Sequence, residues 1–304
     1  MIVRTRPNAF RMLFSWRGSI LPDIAPQLSL VIALSVAIAL LEHQYPHLFP
    51  ELPIAAFSLI GLALSIFLGF RNNVCYDRWW EARKEWGTLI VQMRNLARES
   101  YILADDQRQH LLHLGIAFAH SLNATLRDLP AAEHHARLTP LLSATELSQL
   151  AQHPNPPDFI LLQMHQILML AFKQGTLSDL CYQQLSGRIA TMSATHTACE
   201  RIRKTPAPFA YSLLIHRTAY LYSLLLPIGL GGTLGLLTPV VVGLLAYTFF
   251  GLDALGSELE EPFGVLANDL PLDAMVRTIE IDLRTSLGES DVPAPLQPVN
   301  FVLL

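Results

Sequence analysis

Charge is scarce in this sequence. Asp, Glu, Lys and Arg together make up 15% of its 304 residues, against about 25% in soluble domains. With 51% hydrophobic residues, that shortage points to contact with lipid. A basic surplus is missing as well: the net charge of −4 lacks the cationic footprint that nucleic-acid binding needs. Cysteine is limited to Cys75, Cys181 and Cys199, far apart and without CxxC spacing, which suits reduced, packed thiols and not a zinc site. No Walker loop, GxSxG elbow or HExxH motif occurs, so no enzyme, cofactor or metal centre is expected. Of the 11 histidines, His110 and His113 can share a helix face, a spacing more often solvated than metal-bound. His134 and His135 read as part of a polar loop. Alternating strand patterns, internal repeats and low-complexity segments are also absent, which leaves an all-helical chain.

What is present is long apolar runs. About 20 mostly apolar helical residues cross the hydrocarbon. Ile24 to Leu41 carries no charge, and Leu52 to Phe70 is a cleaner run of the same kind. Thr218 to Leu252 is also free of charge but too long for one helix, and GLGGTLGLLTP breaks it into a hairpin whose first arm starts near Ala210. Four spans result. Arginine and lysine gather before the first span, after the second (Arg71, Arg78, Arg83, Lys84) and before the third (Arg201, Arg203, Lys204), while EHQYPHLFPE and the glycine turn contain none. The positive-inside rule then puts both termini and the middle of the chain in the cytoplasm. A soluble protein with buried core helices would have to treat that asymmetry as accident.

These readings divide the chain into an interfacial or cytosolic segment at 1–23, spans one and two at 24–70, a cytosolic helical domain at 71–209, spans three and four at 210–254, and a cytosolic C-terminal helix and tail at 255–304. The N-terminal segment, with Arg4, Arg6, Arg11 and Arg17 beside Phe10, Phe14 and Trp16, is not a cleavable signal peptide. It suits either an amphipathic stretch at the membrane surface or an ordinary surface helix. In the middle, Trp79, Trp86, Ile90, Met93, Ala97 and Tyr101 recur at helical spacing, and no Gly or Pro separates this stripe from the second span. Further helices are expected from Asp105 to about Leu129, from Asp158 to Phe172 and from Ser178 to Lys204, with HPNPP as a connector. Pro271 opens an amphipathic helix with Leu272, Met275, Ile279 and Leu283 on one face and Gly288 at its end. The proline-rich remainder, SDVPAPLQPVNFVLL, is extended and lies on a neighbouring subunit or on its own domain.

Within the second span, Leu62, Ile66 and Phe70 fall at i, i+4 and i+8 and share one helix stripe. Around a symmetry axis such a stripe stacks into apolar rings that gate conduction by dewetting. The plain alternative is an ordinary lipid-facing helix, in which nearly every residue is apolar. Gly61 and Gly69 permit close helix approach nearby. Arg217 and His216, near the cytosolic end of the third span, mark either a functional site or a snorkelling pair. No matched broken helices and no intramembrane carboxylates point to a transporter.

Three blocks of sequence then stand out together: SIFLGFRNNVCYDRWWEARKEWGTLI, CERIRKTPAPFAYSLLIHRTAYLY, and ELEEPFG followed by NDLPLD. In order and topology they resemble the bestrophin ion-channel family, in a short form that looks bacterial. The resemblance implies a homopentamer around one central pore in the inner (plasma) membrane, with self, lipid and small ions as partners. It places Leu62, Ile66 and Phe70 in a narrow membrane neck and Leu180 at a cytosolic aperture. Animal members are opened by calcium held in an acidic run directly after PFG. Here Val265, Leu266, Ala267 and Asn268 intervene before Asp269, and most of the oxygen ligands a hard cation needs are missing. Animal-type calcium gating is therefore not expected, and Asp269 is left to cap the following helix. Animal members conduct chloride, whereas bacterial ones resemble sodium-permeable channels. Asp179 beside the aperture and the net negative charge favour monovalent cations, with an anion channel, a secondary transporter and a non-conducting membrane scaffold as the alternatives.

Overall fold

The computed structural model describes residues 1–4, 8, 10, 12, 15–16, 18–46, 49 and 53–304. Arg6, Arg11, Phe14 and Arg17 of the basic N-terminal stretch lie outside the described residues, as do His47, Leu48, Pro50, Glu51 and Leu52. Among the described residues the regular structure is helical, apart from the isolated bridges Ile2–Val302 and Val299–Val302. The helices are α1 (Leu21–Gln44), α2 (Ile54–Glu99), α3 (Asp105–Leu126), α4 (Ala131–Leu138), α5 (Ala144–Gln152), α6 (Pro156–Lys173), α7 (Asp179–Lys204), α8 (Phe209–Leu234), α9 (Thr238–Glu260) and α10 (Leu272–Leu287).

The chain forms two compact units, one of residues 5–79 and 206–261, the other of 1–4, 80–205 and 262–304. In the first, α1 packs on α8 and α9, which also pack on each other. Its core gathers Val31, Leu64, Leu68, Tyr222, Leu226 and Phe249. Three helical runs, Leu21–Gln44, Ile54–Ile102 and Phe209–Glu260, are long and apolar enough to cross a membrane, and only 28%, 22% and 22% of their most apolar stretches are buried. Apolar surface left uncovered on this scale calls for lipid or another protein. The last run bends at a single 3-10 turn, Gly235–Leu237, where Gly235 takes φ +51°, a conformation open to glycine and costly for other residues. The break is therefore narrower than the glycine-rich sequence suggests, because Gly229, Gly231 and Gly232 stay inside α8.

No break separates the second apolar run from the polar sequence after it. The 46 residues of α2 extend about 69 Å, more than twice the roughly 30 Å of a hydrocarbon core, so this helix must continue well beyond any membrane it crosses. In the second unit the buried stripe of α2 is Ala82, Trp86, Leu89, Met93 and Leu96. Ile90 and Tyr101, expected on that stripe, are half-buried and exposed respectively. Tyr101 instead stacks under the Arg108 guanidinium at 3.8 Å, a cation–π contact.

Around this stripe, α3 packs on α6 and α10, and α6 packs on α7. Two short helices, α4 and α5, fill the stretch between Pro130 and His153. A capping box starts α5: Ser143 Oγ accepts from Glu146 N while the Glu146 carboxylate accepts from Ser143 N. Leu272, Met275, Ile279 and Leu283 of α10 are all buried, and Gly288 closes the helix at φ +73°. The extended tail lies on its own unit, where Ala274 N donates to Leu304 O and Val3 N to Phe301 O, both at 2.8 Å.

Candidate functional site

Two opposite faces of α2 are sorted by what they touch. Gly61, Leu64, Leu68, Arg71 and Cys75 are buried, at the alternating three- and four-residue spacing of a packed helix face. On the other side Leu62, Ile66 and Phe70 are 60%, 47% and 58% exposed. The i+4 row continues through Val74, also exposed, before the helix turns polar. The three stripe residues are thus brought together on one surface, and the packed face explains why: the contacts that hold α2 against its own chain turn the stripe outward. Gly61 allows the approach, since a Cβ there would come within 2.7 Å of the Tyr222 hydroxyl. Gly69, read with Gly61 as a packing glycine, has nothing within 4 Å of such a Cβ and does not serve that purpose. Beside the stripe an apolar cavity of about 230 Å³ opens between Ile60, Ala63, Phe67 and Leu214, and Tyr211 Oη donates to Phe67 O at its edge.

Directly after Phe70 the packed face carries a buried ion pair that no local pattern in the sequence displays. Arg71 Nη1 donates to Asp253 Oδ1 at 2.6 Å and to the Asp253 backbone carbonyl at 3.1 Å. Its Nη2 donates to Ser257 Oγ at 3.0 Å and reaches Glu260 at 3.5 Å. The second oxygen of Asp253 accepts from His216 Nδ1 at 2.6 Å, and Arg78 Nε donates to Glu260 O. His216 is therefore not a lone snorkelling side chain, whereas Arg217 beside it is exposed. Asp253 is 6% exposed, and its two carboxylate oxygens are satisfied by Arg71 and His216, as a buried charge requires. Gly256 lets the α9 backbone come this close, because a Cβ there would lie 2.5 Å from Asn72 Oδ1.

Leu180 lies in the other unit, on the first turn of α7, and is 78% exposed. Asp179 before it is also exposed, and Ser178 Oγ caps the turn by accepting from Cys181 N. Cys75 and Cys199 are buried free thiols and Cys181 is half-buried. Burial pushes the Cys199 thiol well up from its ordinary value, which makes it inert. Asp269 does not cap α10: its Oδ2 accepts from Leu266 N at 2.7 Å, closing the turn before the helix, and Pro271 occupies the cap position.

His110 and His113 have acidic partners, His110 with its side chain still 43% exposed, and His135 is exposed. His113 donates to Glu289 at 2.6 Å, His110 pairs with Glu146 at 3.0 Å, and His120 faces Glu280 at 3.7 Å. His134 and His135 belong to α4 and not to a loop, with His134 Nε2 3.1 Å from Ser121 Oγ. Burial, reinforced by Arg137, lowers the His134 pKa, and burial lowers that of His196 despite nearby Glu200. Burial of Asp273, Glu280 and Glu289 is outweighed by arginine and histidine partners, chiefly Arg127, His120 and His113, so these carboxyls stay below their usual range. Both sets act with one sign. The unfolded chain takes up protons on these histidines below about pH 6.5 and on the carboxyls below about pH 4.5, before the folded chain does. Stability is thus complete above the first value and is lost in two stages on acidification. Thermal unfolding in detergent, followed by tryptophan fluorescence, is expected to show a midpoint that falls below each value; a midpoint unchanged down to about pH 4 would contradict this.

Known proteins resemble the chain over nearly its whole length. The family model described as Bacterial/Fungal Bestrophin protein matches residues 1–285. The voltage-dependent anion channel-forming protein YneE of Salmonella typhi is 42% identical over 300 residues, 98% of either chain. The voltage-dependent anion channel-forming protein mll4386 of Mesorhizobium japonicum is 43% identical over 292 residues, 95% of this chain and 93% of the relative. Among solved structures, a bacterial bestrophin homolog from Klebsiella pneumoniae superposes with a TM-score of 0.83 at 37% identity, covering 88% of this chain and 99% of the other.

Proposed function

The chain belongs to the bacterial and fungal bestrophins, a family of ion channels and not of enzymes, and from that premise we propose that it passes small monovalent ions through a neck ringed by Leu62, Ile66 and Phe70. The observation that carries this reading is the outward apolar stripe on the face of α2 opposite its packed face. In the proposed assembly five copies surround one axis and the stripes meet as three stacked rings. A ring of this kind resists wetting and so limits flow without binding the ion. Four spans cross the inner membrane: α1, the apolar part of α2, α8 and α9. Residues 71–209 and 255–304 lie in the cytoplasm with both termini, as the arginine and lysine distribution favours. Leu180 forms a second, cytosolic constriction.

The apolar neck has no charge with which to choose between signs. Exposed Asp179 beside exposed Leu180 supports sodium or potassium, because carboxylates near an aperture raise the local cation concentration. The second reading, an anion channel of the same architecture, is favoured by the names of the relatives from Salmonella typhi and Mesorhizobium japonicum. Recording from purified protein in planar bilayers under a salt gradient separates the two. A reversal potential near the cation equilibrium value is expected, and a value near that of chloride assigns the anion reading. Absence of discrete currents from intact oligomers would overturn the channel proposal itself.

A further inference from the structure

The ion pair behind the neck has a feature that packing does not require. Asp253 divides its two oxygens between a buried guanidinium and an imidazole: Oδ1 takes Arg71 and Oδ2 takes His216, both at 2.6 Å. The Arg71 side chain is 4% exposed and that of Asp253 9%, yet that of His216 is 49% exposed. One member of an otherwise sealed cluster is therefore left uncovered by the chain itself. Arg71 follows Phe70 directly and lies on the packed face that Leu64 and Leu68 define. Any rotation of α2 that moves Arg71 in its socket moves the stripe with it. The socket is tight, because α9 presents the Cβ-less Gly256 at this point. Arg71 Nε has no hydrogen-bond partner, so the guanidinium is held through its two Nη groups alone.

We infer that Arg71, Asp253 and His216 form a proton-responsive clamp that sets the rotation of α2, and through it the state of the neck. The inference rests on the channel reading above and adds a regulation to it. With His216 neutral, the hydrogen-bonded cluster is balanced: Arg71 and Arg78 stand against Asp253 and Glu260. Protonation of His216 adds a cation to this set. Two cations then compete for one buried carboxylate, and Arg71, held on one side only, loses part of its grip. Asp253 and Arg71 act as positioning residues in this scheme, since neither lies on the exposed stripe.

Other charged or titratable groups surround His216 and define what the test has to separate. Its own helix contributes Arg217 and Tyr220, whose ring centroid lies 4.4 Å away. From α9 come Asp253 and Glu260, and from α2 Arg71 and Arg78. On α1, which packs on α8 and α9, Asp23 lies in the first turn, and Glu42 and His43 lie at the other end. Of these, His43 and His216 carry imidazoles, and His216 is the one in contact with Asp253.

The test is open probability of the full-length channel in planar bilayers between about pH 8 and about pH 5, a range bracketing imidazole titration. Three proteins are compared with a Leu62→Ala control: the wild type, His216→Gln, and His216→Arg. Open probability of the wild type is expected to rise on acidification by about fivefold or more, the lower end of coupling between two linked sites. His216→Gln keeps a hydrogen-bond donor toward Asp253 but cannot titrate, and is expected to stay at the low value throughout. His216→Arg carries a fixed charge and is expected to stay at the high value. A wild type indifferent to pH, or the same pH profile in His216→Gln, overturns the inference while leaving the channel reading standing. Silence from the wild type and the Leu62→Ala control alike overturns both.

Discussion

Replacing Leu62, Ile66 and Phe70 together by alanine raises single-channel conductance on the order of tenfold, the gain that follows when about 1.4 kcal/mol is removed from a barrier. The physical argument is that the proposed rings oppose ions only by excluding water, so smaller side chains lower the cost of wetting the neck. The same three side chains are exposed in the subunit, at 60%, 47% and 58%. Truncation therefore leaves no cavity in the subunit core, and the variant is expected to fold and assemble. Single alanine variants should give smaller increases in the same direction. The control is Leu68→Ala on the packed face, fully buried. There truncation costs stability, about 2–5 kcal/mol for a core leucine, without widening the neck. Unchanged conductance in the triple variant, with intact oligomers, removes the stripe from the ion path.

Arg71→Ala has the largest expected effect on stability. It leaves Asp253 buried with its carboxylate stripped of the guanidinium, and removing one partner of a buried pair costs about 3–5 kcal/mol. His216 still donates to Asp253, but its exposed ring does not fill the vacated socket. The expected outcome is a sharp fall in recovered oligomer and in unfolding temperature, read by size-exclusion chromatography and a thermal scan in detergent. Arg217→Ala, at an exposed neighbouring site, is expected to behave as the wild type. Equal recovery of the two variants would show that the Arg71 pair contributes nothing to holding α2.

These effects separate what local sequence patterns reveal from what they hide. The long helices are legible because apolar length and charge asymmetry are one-dimensional properties. So is the amphipathic stripe of α10, where Leu272, Met275, Ile279 and Leu283 are all buried. The register of α2 beyond the apolar run is less legible. Leu89 and Leu96 are buried where Ile90 and Tyr101 fit the same spacing, because the choice depends on which neighbours pack there. His134 and His135 look like loop residues since AAEHHARL is short and polar overall. The helix forms around buried Leu138 and the Ser121 contact. Asp253 is the first charged residue after the uncharged run Thr218 to Leu252, and its pairing with Arg71 spans 182 positions. Only α2, α8 and α9 packed together make that carboxylate internal. The outward direction of Leu62, Ile66 and Phe70 is the intermediate case: their shared face follows from spacing, while its exposure follows from what Gly61, Leu64 and Leu68 pack against.

The most direct test of the neck is chemical modification during recording, with Ile66→Cys on a background where Cys181 is replaced by serine. Cys75 and Cys199 are buried and remain as internal controls. A charged, water-soluble thiol reagent is applied while current is recorded. The account predicts that current through Ile66→Cys changes abruptly and irreversibly, while Leu68→Cys, two positions away on the packed face, does not respond. Modification of Ile66→Cys with no change in current, or protection of that cysteine in conducting channels, would contradict it.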